Sequence, residues 1–244
     1  MLKAVTFDFW NTLFVDVHGQ DRERRRAEML RVELEAIGRA VPQTALDEAL
    51  RAGFDFFDHV WTSEHRTPSC GELIDSILAA LSARVPEDAR ERLVNRFELL
   101  VLDLPPEPMP GAAYALPLLA ERYRLAVVCD TGYSPGRVLR EVLERNGMLA
   151  HFEYLYFSNE HGMSKPDVRV FAHTLAALDV RAPEAAHVGD IQRTDIAGAQ
   201  AAGMSAVHFI GANNLDAGRS TADLMVRRFD ELPAALGGLT CAGC

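Results

Sequence analysis

Read for apolar periodicity, the chain divides into two kinds of region. Short, mainly apolar runs stand at Leu2 to Phe7, Leu125 to Cys129, Tyr154 to Phe157, Ala186 to Val188 and Ala206 to Ile210. Runs of this length with little polar alternation fit strands buried on both faces, as in parallel sheets covered by helices. From the second run onward they alternate with helical segments, among them Pro135 to Arg145, Asp167 to Leu178 and Thr194 to Ala202. Such alternation predicts an α/β fold, a doubly wound parallel-sheet (Rossmann-like) core.

Between the first strand and the second, the pattern offers helices only. Leu30, Leu34 and Ile37 recur at helical spacing, as do Phe54, Phe57, Val60 and Trp61, and then Leu73, Ile77 and Leu81. These read as core-facing stripes. The region closes at Leu104-Pro-Pro-Glu-Pro-Met-Pro-Gly111, whose prolines stiffen a linker and interrupt regular structure. Residues 15–107 are therefore expected to form a smaller all-α cap domain, joined by two crossings to a core made of 1–14 and 108–244.

Composition narrows the class of protein. At 244 residues, with 48% hydrophobic and 25% charged residues, the chain can bury a large core plus an inserted unit. A net charge of -10 argues against nucleic acid as a partner, since backbone affinity needs clustered Lys and Arg. No stretch approaches the roughly 20 apolar residues that span a bilayer, and the first apolar run is too short for a signal-peptide core. A cytoplasmic protein without a membrane partner is expected. Four cysteines form no disulfide framework at this length, and Cys241-Ala-Gly-Cys244 reads as a frayed tail rather than a zinc or redox pair. The basic-looking run Asp21 to Arg26 is interleaved with acids and reads as a solvated helix face.

Three short motifs carry candidate chemistry. The first strand runs into Asp8 and then a turn through Trp10, Asn11 and Thr12; later, Val188-Gly189-Asp190 ends another strand, with Asp195 five positions on. Open α/β sheets bind ligands at the carboxyl ends of their strands, and carboxylates converging there suit a hard cation such as Mg²⁺. Taken singly, Asp8 is also an ordinary strand-ending turn residue, and Asp190 with Asp195 an ordinary helix cap and first-turn acid. Lys165-Pro166 lies between them, with the proline placed for a first helical position.

In this order and spacing, Asp8, Lys165-Pro166 and Gly189-Asp190 resemble the haloacid dehalogenase-like hydrolase superfamily, along essentially the whole chain. The resemblance implies that Asp8 is the nucleophile of a covalent aspartyl intermediate. It implies Mg²⁺ held by the Asp8 side chain, the Trp10 carbonyl and Asp190, with Asp195 a further ligand or a partner of Lys165. Lys165 would neutralise the nucleophile and a phosphoryl oxygen beside a helix N-terminus. The cap would open and close over the site, and the substrate would be a small phosphorylated molecule. Where the superfamily has a phosphoryl-binding Ser or Thr, this chain has Cys129-Asp130-Thr131. A thiol is a weak donor, so Thr131 or backbone N–H groups would take the contact, and Cys129 reads equally well as a buried strand residue.

Trp10 is the departure. Phosphatases of the superfamily carry a second aspartate two residues after the nucleophile, a general acid worth about 10² to 10⁴ in rate. An indole has no such proton. Three readings stay open: a phosphohydrolase with compromised acid/base catalysis, a 2-haloacid dehalogenase-like enzyme, or a catalytically weakened binding protein. His18, His59 and His65 are alternative proton sources, and the loop Thr62 to Gly71 is a candidate for reaching over the site.

Overall fold

The computed structural model describes residues 1–239, so Cys241 and Cys244 lie outside the described residues. Six parallel strands form the central sheet: β1 (Ala4–Phe7), β4 (Arg124–Cys129), β5 (Tyr154–Phe157), β6 (Ala185–Gly189), β7 (Ser205–Phe209) and β8 (Leu224–Val226), ordered β5-β4-β1-β6-β7-β8. β1 lies between β4 and β6, Phe7 in register with Val127 on one side and Val188 on the other. The residues following these three strands therefore emerge side by side. Helices α5 (Ala112–Ala120), α6 (Gly136–Arg145), α7 (Ser158–His161), α8 (Val168–Ala177), α9 (Ala197–Ala201) and α10 (Leu232–Gly237) accompany the sheet. One side packs Val5, Phe7, Val127, Val188 and Val207 against α5, α6 and α10; the other packs Ala4, Ala126 and Ala206 against Phe171, Leu175 and Ile196. The doubly wound core is as the alternation predicts. β8 escaped prediction because three residues, with Met225 half exposed, leave no readable pattern.

Helices α1 (Gly19–Ala36), α2 (Gln43–Ser63), α3 (Cys70–Ala80) and α4 (Glu87–Asp103) fill the insertion and enclose their own core of Leu30, Leu34, Leu46, Ile74, Ile77, Leu93, Phe97 and Leu100. The α3 start is fixed by a capping box, Ser69 Oγ accepting from Glu72 N while the Glu72 carboxylate accepts from Ser69 N. The two crossings are not plain linkers. β2 (Phe14–Val15) and β3 (Glu107–Pro108) pair as a short antiparallel ribbon, and Met109 N donates to Leu13 O at 2.8 Å. The prolines tolerate this because a two-residue ribbon asks for few ladder bonds.

Candidate active site

The Asp8 backbone continues the ladder of β1, its N–H donating to Val188 O at 2.9 Å, so its side chain leaves the sheet at the rim. Immediately after it the chain folds back, with Leu13 N and Phe14 N both donating to Phe9 O and Asn11 in the left-handed region at φ 57°. Asparagine tolerates that conformation. The turn is anchored by Phe9, stacked on Phe14 at 4.8 Å between ring centroids and edge-on to Trp10 at 5.1 Å.

Lys165 reaches the same rim from the loop before α8. Its ammonium, essentially buried, donates to Asp8 Oδ1 at 2.5 Å and to Asp195 Oδ1 at 2.6 Å. Burial alone would lower its pKa, but Asp195 and Asp8 override that and hold it charged, well above the usual lysine value. Pro166 is not a first helical residue: α8 starts at Val168 with Asp167 as its cap, whose carboxylate accepts from Arg169 N at 2.9 Å. The anchors of Lys165 are thus side chains and one backbone bond, its N–H donating to Asp130 Oδ1 at 3.0 Å, rather than a helix terminus.

Asp195 points inward because the turn from Gln192 to Ile196 is wider than an α-helix, Ile196 N reaching back five residues to Ile191 O. Such single wide turns recur at functional sites. The regular helix expected from Thr194 therefore begins only at Ala197. Gly189 makes room: a Cβ there would lie 2.4 Å from Asp195 Cγ. Both Asp195 oxygens are engaged, Oδ1 by Lys165 and by His187 Nε2 at 3.1 Å, Oδ2 by Ile191 N at 2.9 Å. Burial opposes its charge, yet Lys165 and His187 hold it well below the carboxylate range. His187 stays neutral, its pKa lowered mainly by burial, with Nε2–H donating to Asp195 and Nδ1 accepting from Thr6 Oγ1 at 2.7 Å. Of the two roles open to Asp195, partner of Lys165 or metal ligand, the geometry realises the pairing.

Asp190 sits at the end of β6, its Oδ2 accepting from Asn213 Nδ2 at 2.9 Å and its carbonyl from His208 Nε2 at 3.0 Å. Burial, then the neighbouring Asp195, pushes its pKa up to about 7. Asp8 is likewise raised, by burial first and against the pull of Lys165. Three buried carboxylates, Asp8, Asp190 and Asp195, and the half-buried Asp130 thus surround one ammonium. Among the described residues no three His, Cys, Asp or Glu side chains converge as a closed metal cage. A magnesium site asks for less, since one or two carboxylates plus substrate oxygens suffice. Asp8 and Asp190, whose charged forms are disfavoured as they stand, fit that donor set.

Asp8, Trp10, Asp130, Lys165 and Asp190 line one cavity of about 380 Å³, together with Asn11, Gly132, Tyr133 and Ser134 from the core. Cys129 and Thr131 do not. Cys129 lies wholly buried with Sγ on the Asp130 carbonyl at 3.5 Å, and burial raises its thiol pKa well above normal. Thr131 is spent on Ser158, whose Oγ accepts from its N–H at 2.8 Å and lies 3.1 Å from its hydroxyl. Of the groups expected to supply the phosphoryl donor, neither of these two side chains faces the cavity, and the loop after them, through Gly132, Tyr133 and Ser134, does. Asp130, expected beside them as a phosphate contact, carries a carboxylate that accepts from Trp61 Nε1 at 2.8 Å and so ties the cap to the core.

The cap wall brings further corrections. Phe54, Phe57 and Trp61, expected as a core stripe, line the cavity, Phe54 being 64% exposed, while Val60 alone of that set is buried. Arg22 and Arg26, expected on a solvated face, turn inward. Arg22 is 4% exposed, paired with Asp16 and donating to Leu104 O at 2.6 Å. The loop Thr62 to Gly71 docks on the core through Thr67 Oγ1, 2.6 Å from Ser158 Oγ, and His65 O, and supplies no cavity residue. His18, His59 and His65 also stand outside the lining.

A profile of haloacid dehalogenase-like hydrolases matches residues 2–203. Phosphoserine phosphatase of Thermus thermophilus is 39% identical over 100 residues, 41% of this chain and 40% of that one. Ribulose-1,5-bisphosphate 5-phosphatase of Halopiger xanaduensis is 39% identical over 99 residues, 40% of this chain and 41% of that one. The match thus spans about two-fifths of the length of these relatives. Among solved structures, a 2-haloacid dehalogenase from Pseudomonas syringae superposes with a TM-score of 0.72 at 23% identity, covering 97% of this chain and 99% of that one. A phosphatase from Thermococcus onnurineus gives 0.68 at 22%, with the same coverage. At such identities the likeness speaks for the fold. With the profile running from the first strand past α9, the chain belongs to the haloacid dehalogenase-like hydrolase family.

Proposed function

We propose that the protein is a Mg²⁺-dependent phosphohydrolase acting on a small phosphorylated molecule. The observation that carries this reading is the charge of the site: Asp8, Asp190 and Asp195, all buried, and the half-buried Asp130 stand around the single ammonium of Lys165, and burial holds Asp8 and Asp190 above their usual pKa range. Asp8, the Trp10 carbonyl and Asp190 would hold the ion, which when bound supplies charge neutralisation for the phosphoryl oxygens. Lys165 fixes Asp8 Oδ1 and leaves Oδ2 without a hydrogen bond from the described residues. Oδ2 attacks phosphorus, the ester oxygen leaves, and water then hydrolyses the aspartyl phosphate. Asp195 and His187 hold the ammonium in place. Trp10 cannot protonate the departing oxygen, so esters with acidic leaving groups, aryl or acyl phosphates, are favoured over alkyl phosphates. Slow water activation leaves the intermediate to accumulate, giving a burst of leaving group.

Trp10 also favours a second reading, displacement of halide from a 2-haloacid, which needs no acid. Against it stands the uncompensated negative charge, which repels a carboxylate substrate unless a cation is present. The test is an aryl phosphate assay with Mg²⁺ and with EDTA, beside halide release from a 2-haloacid. Aryl phosphate turnover that EDTA abolishes and Mg²⁺ restores is expected; turnover indifferent to chelation, or halide release without metal, overturns the reading.

A further inference from the structure

Arg26 is anomalous among the basic residues of the cap. It lines the cavity, its Nε is buried without a partner, and it makes no hydrogen bond or ion pair with any described residue. Its guanidinium is instead held by ring faces, 4.1 Å from the centroid of Tyr133 and 5.9 Å from that of Phe97. Neighbouring groups do not satisfy it. Glu23, one turn earlier, lines the same cavity but does not bond to it, and Arg22 is already matched by Asp16 and the Leu104 carbonyl. Burial accordingly pulls the Arg26 pKa below the usual guanidinium value.

A planar fork of donors, desolvated and stacked on an aromatic ring, is the geometry that receives a carboxylate or phosphate. It belongs to the same cavity as Asp8 and Lys165, but to the cap rather than the sheet. Resting on the phosphohydrolase reading, we propose that Arg26 binds a second anionic group of the substrate, a carboxylate or a second phosphate carried on the leaving group. The apolar part of that group would lie along Phe54, Phe57 and Trp61. Tyr133, a core residue, orients the cap guanidinium, so the anion selects the leaving group where the two domains meet.

The test uses the full chain with Mg²⁺ and three esters: phenyl phosphate, a carboxyphenyl phosphate and a phenylene bisphosphate. The protein should prefer at least one doubly anionic ester by about 10- to 100-fold in kcat/KM, the scale of a charge-assisted contact, with the gain in KM. The two arms tell carboxylate from phosphate. Arg26→Met should bring the ratio near one and Arg26→Lys keep part of it. Because Arg26→Met removes a half-buried charge that has no ion-pair partner among the described residues, its Tm should equal or exceed that of the parent. No preference in the parent, a preference that survives Arg26→Met, or a lower Tm with equal losses on all three esters overturns the proposal. If no ester turns over, calorimetric titration with the matching phosphonates separates the two claims. Arg26-dependent selectivity there upholds this site while the phosphohydrolase reading fails, and its absence overturns the site as well.

Discussion

The sheet side of the cavity is a knot of buried charge, whereas the cap side is aromatic and carries a guanidinium held by rings. On the sheet side the central charged groups are held by one another and by their neighbours: Lys165 by two carboxylates, Asp195 by four donors, Asp190 by Asn213. On the cap side, Trp61 and Arg22 reach protein partners, while Arg26, Phe54 and Phe57 make contacts that a substrate could supplement. The difference separates tasks. Chemistry demands donors that do not reorganise, which a sheet rim with short connections provides. Selection demands surface that can vary, and an inserted helical unit with its own core can change one face without disturbing the rim.

The strongest way to break this contrast is Lys165→Met. Removing the shared ammonium strands Asp8 and Asp195, and breaking a buried pair costs about 3–5 kcal/mol. A urea midpoint close to that of the parent would mean the charge knot is not structural. Next comes Trp10→Asp, which should raise turnover of alkyl phosphates by about 10-fold or more, part of the range open to general acid catalysis. If alkyl and aryl esters respond alike, the rim does not lack an acid at this position.

Trp61→Phe probes the side-chain bond that ties the aromatic cap wall to the half-buried Asp130 at the rim. The ring survives, but Asp130 Oδ2 loses its donor. A loss of about 1–2 kcal/mol in urea unfolding and a few-fold rise in KM are expected; unchanged values would show that this bond does not help hold the cap wall against the rim. The smallest effect belongs to Arg90→Ala on the cap exterior. Its paired contacts with Asp75, at 2.6 and 2.8 Å, are solvent-accessible and contribute below about 1 kcal/mol. A larger loss in the unfolding midpoint would erase the distinction between rim charge and surface charge.

Local signals decided a great deal here. The apolar runs named five of the six sheet strands, because a strand buried on both faces carries few polar positions to confuse the reading. Asp8, Asp190 and, just beyond it, Asp195 were legible because strand ends in an open α/β sheet meet at one rim, whatever the cap does, whereas the role of Lys165 was legible only through the family resemblance. Helical spacing, by contrast, says that a face is apolar but not what covers it. Phe54, Phe57 and Trp61 share the periodicity of a core stripe and yet face the cavity, while Arg22 and Arg26 share the polarity of a solvated face and yet turn inward. Cys129 and Thr131 stand where a phosphoryl donor is expected, and only the path of the chain after β4 determines that Ser158 takes Thr131 instead. The choice between Asp195 as ligand and as partner of Lys165 likewise waited on the wide turn at Gln192–Ile196 and the space left by Gly189. Periodicity and strand-end position are properties of neighbouring residues, so the chain itself encodes them. Which faces meet across a gap depends on residues far apart in sequence, and that is settled only when the cap has packed against the sheet.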